Sequence, residues 1–344
     1  IGFLSRTKQD KLQASLTHEN QKHIPDLREE EVVRIEKGEE EVVYDIQTAS
    51  GEYLNNNIAI HNCFILSVED NMDSILEWIR TEGMIFKRGS GAGVNLSPLR
   101  AGSETLARGG HASGPVSFMR GADSVAGTIA SGGATRRAAK MVVLNVDHPD
   151  IMKFIHCKAE EEKKVRALIN AGYNMYDLNN EAWFSIQYQN ANNSVRVTDD
   201  FMHAVENDEK YSTHEVHSGA VAETYQARDL MREIAQAAWE SGDPGMQYDT
   251  TINHWHTAPN SGRINASNPC SEYMHVDNSA CNLASINLLH YLKSDGTFDV
   301  RGFTHTVDVM ILAQEILVDS SSYPTEKIAK NTRALRQLGL GYAN

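Results

Sequence analysis

From Met72 to Lys87 the apolar residues (Met72, Ile75, Leu76, Ile79, Met84, Ile85) recur with helical spacing, which predicts a helix. Met141-Val-Val-Leu-Asn-Val predicts a short buried strand, and His148-Pro-Asp opens a helix at Asp150. Ser194-Val-Arg-Val reads as another strand, followed by Thr198-Asp-Asp as the cap of a helix over 201–206. Asp229–Ser241 is strongly amphipathic and stops at Gly242-Asp-Pro-Gly. Helices are also expected over 285–292 and 307–317. Short strands alternating with helices predict an α/β fold around a parallel sheet. No internal repeat or low-complexity tract interrupts the pattern.

Residues 1–62 follow a different rule. Glu31 to Gln47 alternates polar and apolar, with Gly38 between two β-rich runs, which predicts a hairpin. Tyr53-Leu-Asn-Asn-Asn-Ile-Ala-Ile-His-Asn then reads as a strand, an Asn turn and a short strand. The chain therefore divides into a small all-β segment, 1–62, and an α/β segment, 63–344.

Composition narrows the possibilities. The 344 residues carry 32 Lys+Arg against 46 Asp+Glu, a formal charge of -14, with 41% hydrophobic residues. That is a folding composition, not a disordered or collagen-like one. The acidic balance argues against a nucleic-acid partner, because phosphate contacts need clustered Lys and Arg. No apolar run reaches the ~18 residues of a membrane span, and no signal peptide opens the chain, so no membrane partner and a cytoplasmic location are expected. Four cysteines suit a reducing compartment, where Cys is more often catalytic than structural. The opening Ile and closing Gly-Tyr-Ala-Asn suggest a piece of a longer product.

Two motifs carry chemistry. At His61-Asn62-Cys63 the Asn amide can attack its own carbonyl and cut the chain. The His can act as general acid, and the Cys is a nucleophile suited to an acyl shift. Val43-Tyr-Asp-Ile-Gln with Gly51-Glu-Tyr-Leu-Asn-Asn-Asn-Ile-Ala-Ile-His-Asn closely resembles the C-terminal end of an intein of the Hedgehog/intein fold. The resemblance implies that Asp45 assists splicing, His61 is the penultimate His, Asn62 cyclises and Cys63 begins the C-terminal extein. Glu52 stands where many inteins carry a His, and the N-terminal intein half is missing, so this chain alone is not expected to splice.

The second motif is Asn268-Pro-Cys270-Ser-Glu272, with Cys281 eleven residues on. A thiol between an amide and a carboxylate can relay hydrogen and protons, and a second thiol pair can supply two electrons by closing a disulfide. Two unrelated buried cysteines fit the spacing as well. The run from Asn265 to Leu288 resembles the catalytic finger loop of ribonucleotide reductases. Cys63-Phe-Ile-Leu-Ser-Val-Glu-Asp resembles their first barrel strand, with a redox Cys at its start. Lys87-Arg-Gly-Ser-Gly-Ala-Gly-Val-Asn-Leu-Ser resembles their Gly-rich segment beside the substrate. Residues 158–168 and 187–199 are most similar to the class II, adenosylcobalamin-dependent branch.

This resemblance implies the first half of a ten-stranded α/β barrel, in a homodimer that reduces ribonucleotides, most naturally diphosphates, for DNA synthesis. By it, Cys270 is the thiyl-radical site, Glu272 the base for the 3′-hydroxyl and Asn268 the holder of the substrate hydroxyls. Cys63 and Cys281 are the reducing dithiol, renewed by a thioredoxin-like partner. Ser90, Gly91 and Gly93 form a turn beside the substrate. Asp70, Arg136 and Arg137 contact a deoxynucleotide effector, with residues 177–190 as the specificity loop. The fragment by itself is expected to be inactive.

Other candidates weigh less. Cys157 reads as a small buried residue of the helix from Asp150. Trp183 and Trp255 read as packing residues, and His275 and Asp277 earn no role. A zinc site from His256, Cys270, His275 and Cys281 lacks a C-x-x-C pair, and no metal is expected. Two other readings stay open: a self-processing element only, or a non-catalytic thiol or zinc protein.

Overall fold

The computed structural model describes residues 53–55, 58–129, 138–176 and 181–343. The predicted hairpin over 31–47, Asp45, Arg136 and Arg137 lie outside the described residues, as do 177–180 of the expected specificity loop.

Seven strands run in the order β12-β11-β2-β3-β4-β5-β8. They are β2 (Ile58–Leu66), β3 (Gly91–Asn95), β4 (Lys140–Asn145), β5 (Ala191–Val197), β8 (Gly245–Tyr248), β11 (Ser279–Asn287) and β12 (Leu338–Ala343). Strands β2, β3, β4, β5 and β8 are mutually parallel. Strands β11 and β12 are parallel to each other, and β11 pairs antiparallel with β2. The sheet thus has one seam, β2 against β11, where two parallel runs meet head to tail. A short strand β1 (Tyr53–Asn55) folds back on β2, with Tyr53 opposite Ile60. Strand β2 passes from Ile58 to Leu66 without a break at Asn62-Cys63, so Cys63 sits well inside the strand and not at its start.

Helices α1 (Met72–Lys87), α2 (Pro115–Thr128), α3 (Ile151–Asn170) and α4 (Asp199–Asn207) each follow a strand of the parallel run, and α5 (Ala227–Ser241) precedes β8. The Asn71 side chain accepts from Ser74 N–H at the start of α1, and Thr198 accepts from Phe201 N–H at the start of α4. These caps satisfy donors that the first helical turn leaves open. Asp208 and Gly242 close α4 and α5 in the left-handed region. Between α4 and α5 lies a hairpin of β6 (Lys210–His214) and β7 (Val221–Gln226), whose Tyr211 and Tyr225 pack against the core. A short helix α6 (Asp249–His254) follows β8, and α7 (Val300–Ser320) and α8 (Glu326–Leu335) connect β11 to β12.

The helix expected over 285–292 is not there. Ser285–Asn287 ends β11 and Leu288–Tyr291 forms a 3-10 turn. Register overrides helical spacing here, because Ser285–Asn287 pairs with Gly341–Ala343 of β12. The Gly-rich turn expected at 89–93 is confined to Gly89, which has φ 75°. Gly91 and Gly93 lie in strand β3.

Side chains alternate between the two faces of the sheet, as strand geometry requires. Phe64, Leu66, Ala92, Val94, Val142, Leu144, Val195 and Val197 face the helices, with Trp78 and Phe154, in one large apolar core. Cys63, Ile65, Met141, Val143 and Cys281 face the other way, into a small cluster closed by Ala266 and Tyr273. The functional candidates lie on this inner face.

Candidate active site

The antiparallel register sets Cys63 of β2 directly opposite Cys281 of β11, and on the other side of β2 Cys63 is level with Gly91 of β3. Directly opposed residues in an antiparallel pair have Cα atoms about 4.5–5.5 Å apart, inside the ~4.4–6.8 Å range a disulfide spans. Both thiols are free and buried. They belong to the same inner-face cluster, at the backbone spacing a disulfide spans.

Across this row lies a hairpin of β9 (Ile264–Ser267) and β10 (Met274–Val276), whose loop carries Asn268, Cys270 and Glu272. The two glycines admit it. A Cβ on Gly93 would sit 1.7 Å from the Ser267 carbonyl oxygen, and one on Gly91 would sit 2.7 Å from Pro269 Cγ. The Gly-rich segment is therefore a bed for the loop. Asn95 Nδ2, two residues on along the same face, donates to the Asn265 carbonyl at 2.9 Å. Asn192 Nδ2 of β5 donates to the Pro269 carbonyl at 2.8 Å.

The loop is tied internally as well. Asn268 N–H donates to the Tyr273 carbonyl at 3.1 Å, and Tyr273 N–H donates to Asn268 Oδ1 at 3.0 Å. Ser271 takes φ 64°, an uncommon region for a residue with a Cβ, and its N–H closes a turn onto the Asn268 carbonyl. The result is a rigid bend with Asn268 and Pro269 buried at its base and Cys270 and Glu272 exposed.

The electrostatics agree with this proximity. Burial pushes the Cys63 thiol up to about 12; the Asn268 side chain and the Gly91 N–H oppose the rise, while Glu272 and Cys270 add to it. Burial likewise pushes Cys281 up to about 12, with Cys63 and Glu272 adding and the Gly339 N–H opposing. Cys270 is raised by partial burial and by Glu272. All three sulfurs are thus protonated near neutral pH and carry hydrogen, unlike the low-pKa thiolates of nucleophilic and metal-binding cysteines. The buried Nδ2 of Asn268 faces the Cys63 sulfur, a weak acceptor, and has no other partner. An amide N–H held only by a thiol sulfur can exchange it for a stronger ligand oxygen.

An open cleft of about 490 Å³ adjoins the row, lined by Glu272, Tyr273, Cys281, Leu283, Gln337 and Gly339 among others. The Tyr273 hydroxyl meets Ser279 Oγ at 2.7 Å and donates to Gln337 Oε1 at 3.4 Å, which ties the hairpin to β11 and the start of β12. Tyr273 and Gly339 escape a reading of the sequence. A Cβ on Gly339 would stand 3.1 Å from Cys281 Sγ and 2.3 Å from Leu283 Cδ2, so a side chain here would push against the Cys281 thiol and the end of Leu283. The alternation Leu338-Gly-Leu-Gly was the available signal.

Other expected residues lie elsewhere. Asp70 pairs with Arg100 (Nε to Oδ2, 2.5 Å) and also accepts the Arg100 N–H. Ser90 is half-buried just before β3. His61 and Asn62 belong to β2, with Asn62 opposite Asn282. Cys157 is buried in α3 on the helix side of the sheet, where its sulfur accepts from Asn193 Nδ2 at 3.3 Å. Trp183 packs against Val165 and Met175, but Trp255 is 76% exposed and is no packing residue; it lies on the surface at the end of α6. The rings of His256 and His275 meet edge to face behind the hairpin, and among the described residues no group of three His, Cys, Asp or Glu side chains could hold a metal ion. None of the described helices is long and apolar enough to cross a membrane.

A sheet seam with two facing thiols, crossed by an Asn-Cys-Glu loop, occurs here within residues 61–344, which match the family described as the ribonucleotide reductase barrel domain. The chain belongs to that family. It is 60% identical over 286 residues to a protein of Streptomyces avermitilis named vitamin B12-dependent ribonucleotide reductase, covering 82% of this chain and 30% of the relative. A protein of the same name from Agrobacterium fabrum is 38% identical, over 83% of this chain and 28% of the relative. A vitamin B12-dependent ribonucleoside-diphosphate reductase of Mycobacterium tuberculosis is 36% identical, over 81% of this chain and 36% of the relative. The chain spans about a third or less of the length of these relatives.

Proposed function

We propose that this chain is the part of an adenosylcobalamin-dependent, class II ribonucleotide reductase that holds the finger loop and the reducing dithiol. The carrying observation is the Cys63–Cys281 register beneath the Asn268–Glu272 loop. The substrate is a ribonucleoside diphosphate and the product its 2′-deoxy form.

The chemistry follows from what each side chain can do. Cys270, an exposed thiol at the loop, removes the 3′ hydrogen of the ribose as a thiyl radical and later returns it. Adenosylcobalamin, when bound, supplies the radical chemistry, and the exposed Cys270 sulfur suits it as the group to be oxidised. Glu272 accepts the 3′-hydroxyl proton. The Asn268 N–H, which in the free protein faces only the weak acceptor Cys63, holds a substrate hydroxyl. The 2′-hydroxyl leaves as water. Of the two hydrogens of Cys63 and Cys281 one goes as a proton into that water and the other, with the dithiol's two electrons, replaces the hydroxyl at C2′. Glu272 returns its proton to the 3′ oxygen, and the thiols end as a disulfide, one dithiol oxidised for each ribose reduced. Their high pKa supports hydrogen donation, because a thiol and not a thiolate carries the hydrogen. A thioredoxin-like dithiol reopens the bridge, and the complete enzyme works as a homodimer under a deoxynucleotide effector. The test is single turnover of the complete, pre-reduced reductase with a ribonucleoside diphosphate. One deoxynucleotide should form per Cys63–Cys281 disulfide found by peptide mass spectrometry, and product without that disulfide would refute the assignment.

We also propose that residues up to Asn62 derive from an intein. The family match begins at residue 61, which supports a change of origin there. In the folded barrel the Cys63 thiol is protonated and its strand is zipped between β3 and β11. Cleavage after Asn62 therefore belongs to the chain before β2 joins the sheet. Mass spectrometry of nascent against folded chain tests this: cleavage confined to the folded form would contradict it.

A further inference from the structure

A line of buried polar side chains runs from the far edge of the sheet to the base of the finger loop. Arg196 of β5 is 2% exposed and on the inner face. Its guanidinium makes three bonds: Nε to Asp249 Oδ1 at 2.7 Å, Nη1 to Gln247 Oε1 at 2.9 Å, and Nη2 to the Ile264 carbonyl at 2.5 Å. Gln247 of β8, also 2% exposed, passes the line on, its Nε2 donating to Ser267 Oγ at 2.8 Å. The Ser267 hydroxyl is fully buried and donates to the Asn268 carbonyl at 2.9 Å, with Ser271 Oγ at 3.2 Å. Each step joins groups shut away from water, where a missing partner is costly.

We propose that Arg196, Gln247 and Ser267 form a clamp that sets the height of the finger loop above the Cys63–Cys281 row, and that Gln247 and Ser267 are positioning residues for Asn268 and Cys270. The inference deepens the reductase reading and relies on it for the role of the loop. None of the three side chains reaches the thiols. Asp249 holds Arg196 in place, so the guanidinium is a fixed hub and not a mobile charge. Gln247 uses both ends of its amide, accepting from Arg196 and donating to Ser267, and so fixes its own orientation. Ser267 spends its one hydrogen on the loop backbone. Asn192 of β5 grips the next carbonyl, that of Pro269, directly, while the Asn268 carbonyl is bonded by its neighbour Ser267, which Gln247 of β8 holds in turn. Bed and clamp are complementary. The glycines of β3 let the loop come close, and the polar line stops it from lifting.

The four cysteines supply the test, since Cys63 is covered by the loop while Cys157 lies on the opposite face of the same sheet. In the 344-residue chain, maleimide labelling followed by peptide mass spectrometry should mark Cys270 fast and Cys63, Cys157 and Cys281 slowly. Gln247→Met, which keeps the volume and removes both bonds, and Ser267→Ala should each speed Cys63 labelling about tenfold and leave Cys157 unchanged. The double variant should label Cys63 no faster than either single one, because both cut the same line. An unchanged Cys63 rate overturns the proposal. So does a rise of Cys157 in step with Cys63, which would mean general loosening. Labelling needs no turnover, so failure of the reductase reading would show separately, in the single-turnover assay.

Discussion

The two faces of the sheet bury cysteines alike and use them differently. Cys157 on the helix side and Cys63 and Cys281 on the inner side are all at most 8% exposed, and burial pushes all three thiols up to about 12. Neither exposure nor acidity separates them. What separates them is what they face. Cys157 meets a large apolar core and one amide, whereas Cys63 meets Cys281, the Asn268 amide and a loop carrying another thiol and a carboxylate. Register, not burial, distinguishes a thiol that can pair from one that fills space.

The largest expected effect tests this directly. In the complete reductase, Cys63→Ser or Cys281→Ser should abolish deoxynucleotide formation with the fold intact by circular dichroism, while Cys157→Ser should leave turnover within about twofold; equal loss for all three would erase the distinction between the faces. Next comes a purely structural change. Phe154→Ala on the outer face should cost about 3–5 kcal/mol in denaturant unfolding, the usual figure for a buried ring, because Phe154 is 1% exposed. Gly93→Ala should act on the inner face alone. Its Cβ overlaps the Ser267 carbonyl, so the hairpin must shift and Cys63 labelling should rise, with Cys157 as the unchanged control.

The smallest effect is a pH dependence beneath the hairpin. Asp277, which accepts from Asn265 Nδ2 at 2.9 Å, is raised to about 6 by burial. Folded, it binds a proton that the unfolded chain has already lost, so its contribution to stability falls as pH rises from about 4 to about 6. His275 is lowered to about 4 by burial and by His256. Folded, it stays neutral where the unfolded His is charged, so its contribution rises over about 4 to 6.5. The two oppose each other in the parent chain. Relative to the parent, Asp277→Asn should make stability climb with pH across this window, and His275→Gln should make it fall. Unfolding midpoints at several pH values would read out both slopes, and matching slopes in the two variants would refute the pairing.

Much was legible in advance because it depends on neighbours in the chain. Helical spacing over Met72–Ile85 announced α1, but its buried face is Ile75, Trp78, Ile85 and Phe86, with Met72, Leu76 and Met84 exposed. Thr198 capped α4 and Gly242 ended α5, each by an interaction within a few residues. The finger-loop motif was legible because its Asn, Cys and Glu share one short bend. The helix expected over 285–292 failed because pairing with β12, more than fifty residues away, outweighs local spacing. Trp255 failed because an aromatic side chain does not announce which way it faces.

Residue order alone therefore announced several helices, the Thr198 cap and the types of chemically active group. That Cys63 faces Cys281, that Gly91, Gly93 and Gly339 are clearances and not turns, and that Gln247 holds a loop twenty residues on, were decided only when strands far apart in the chain came into register. The physical reason is the range of the forces. Capping and helical periodicity act over one turn, whereas strand pairing lets residues hundreds of positions apart compete for one place, and a slip of a single residue would turn Cys63 to the other face.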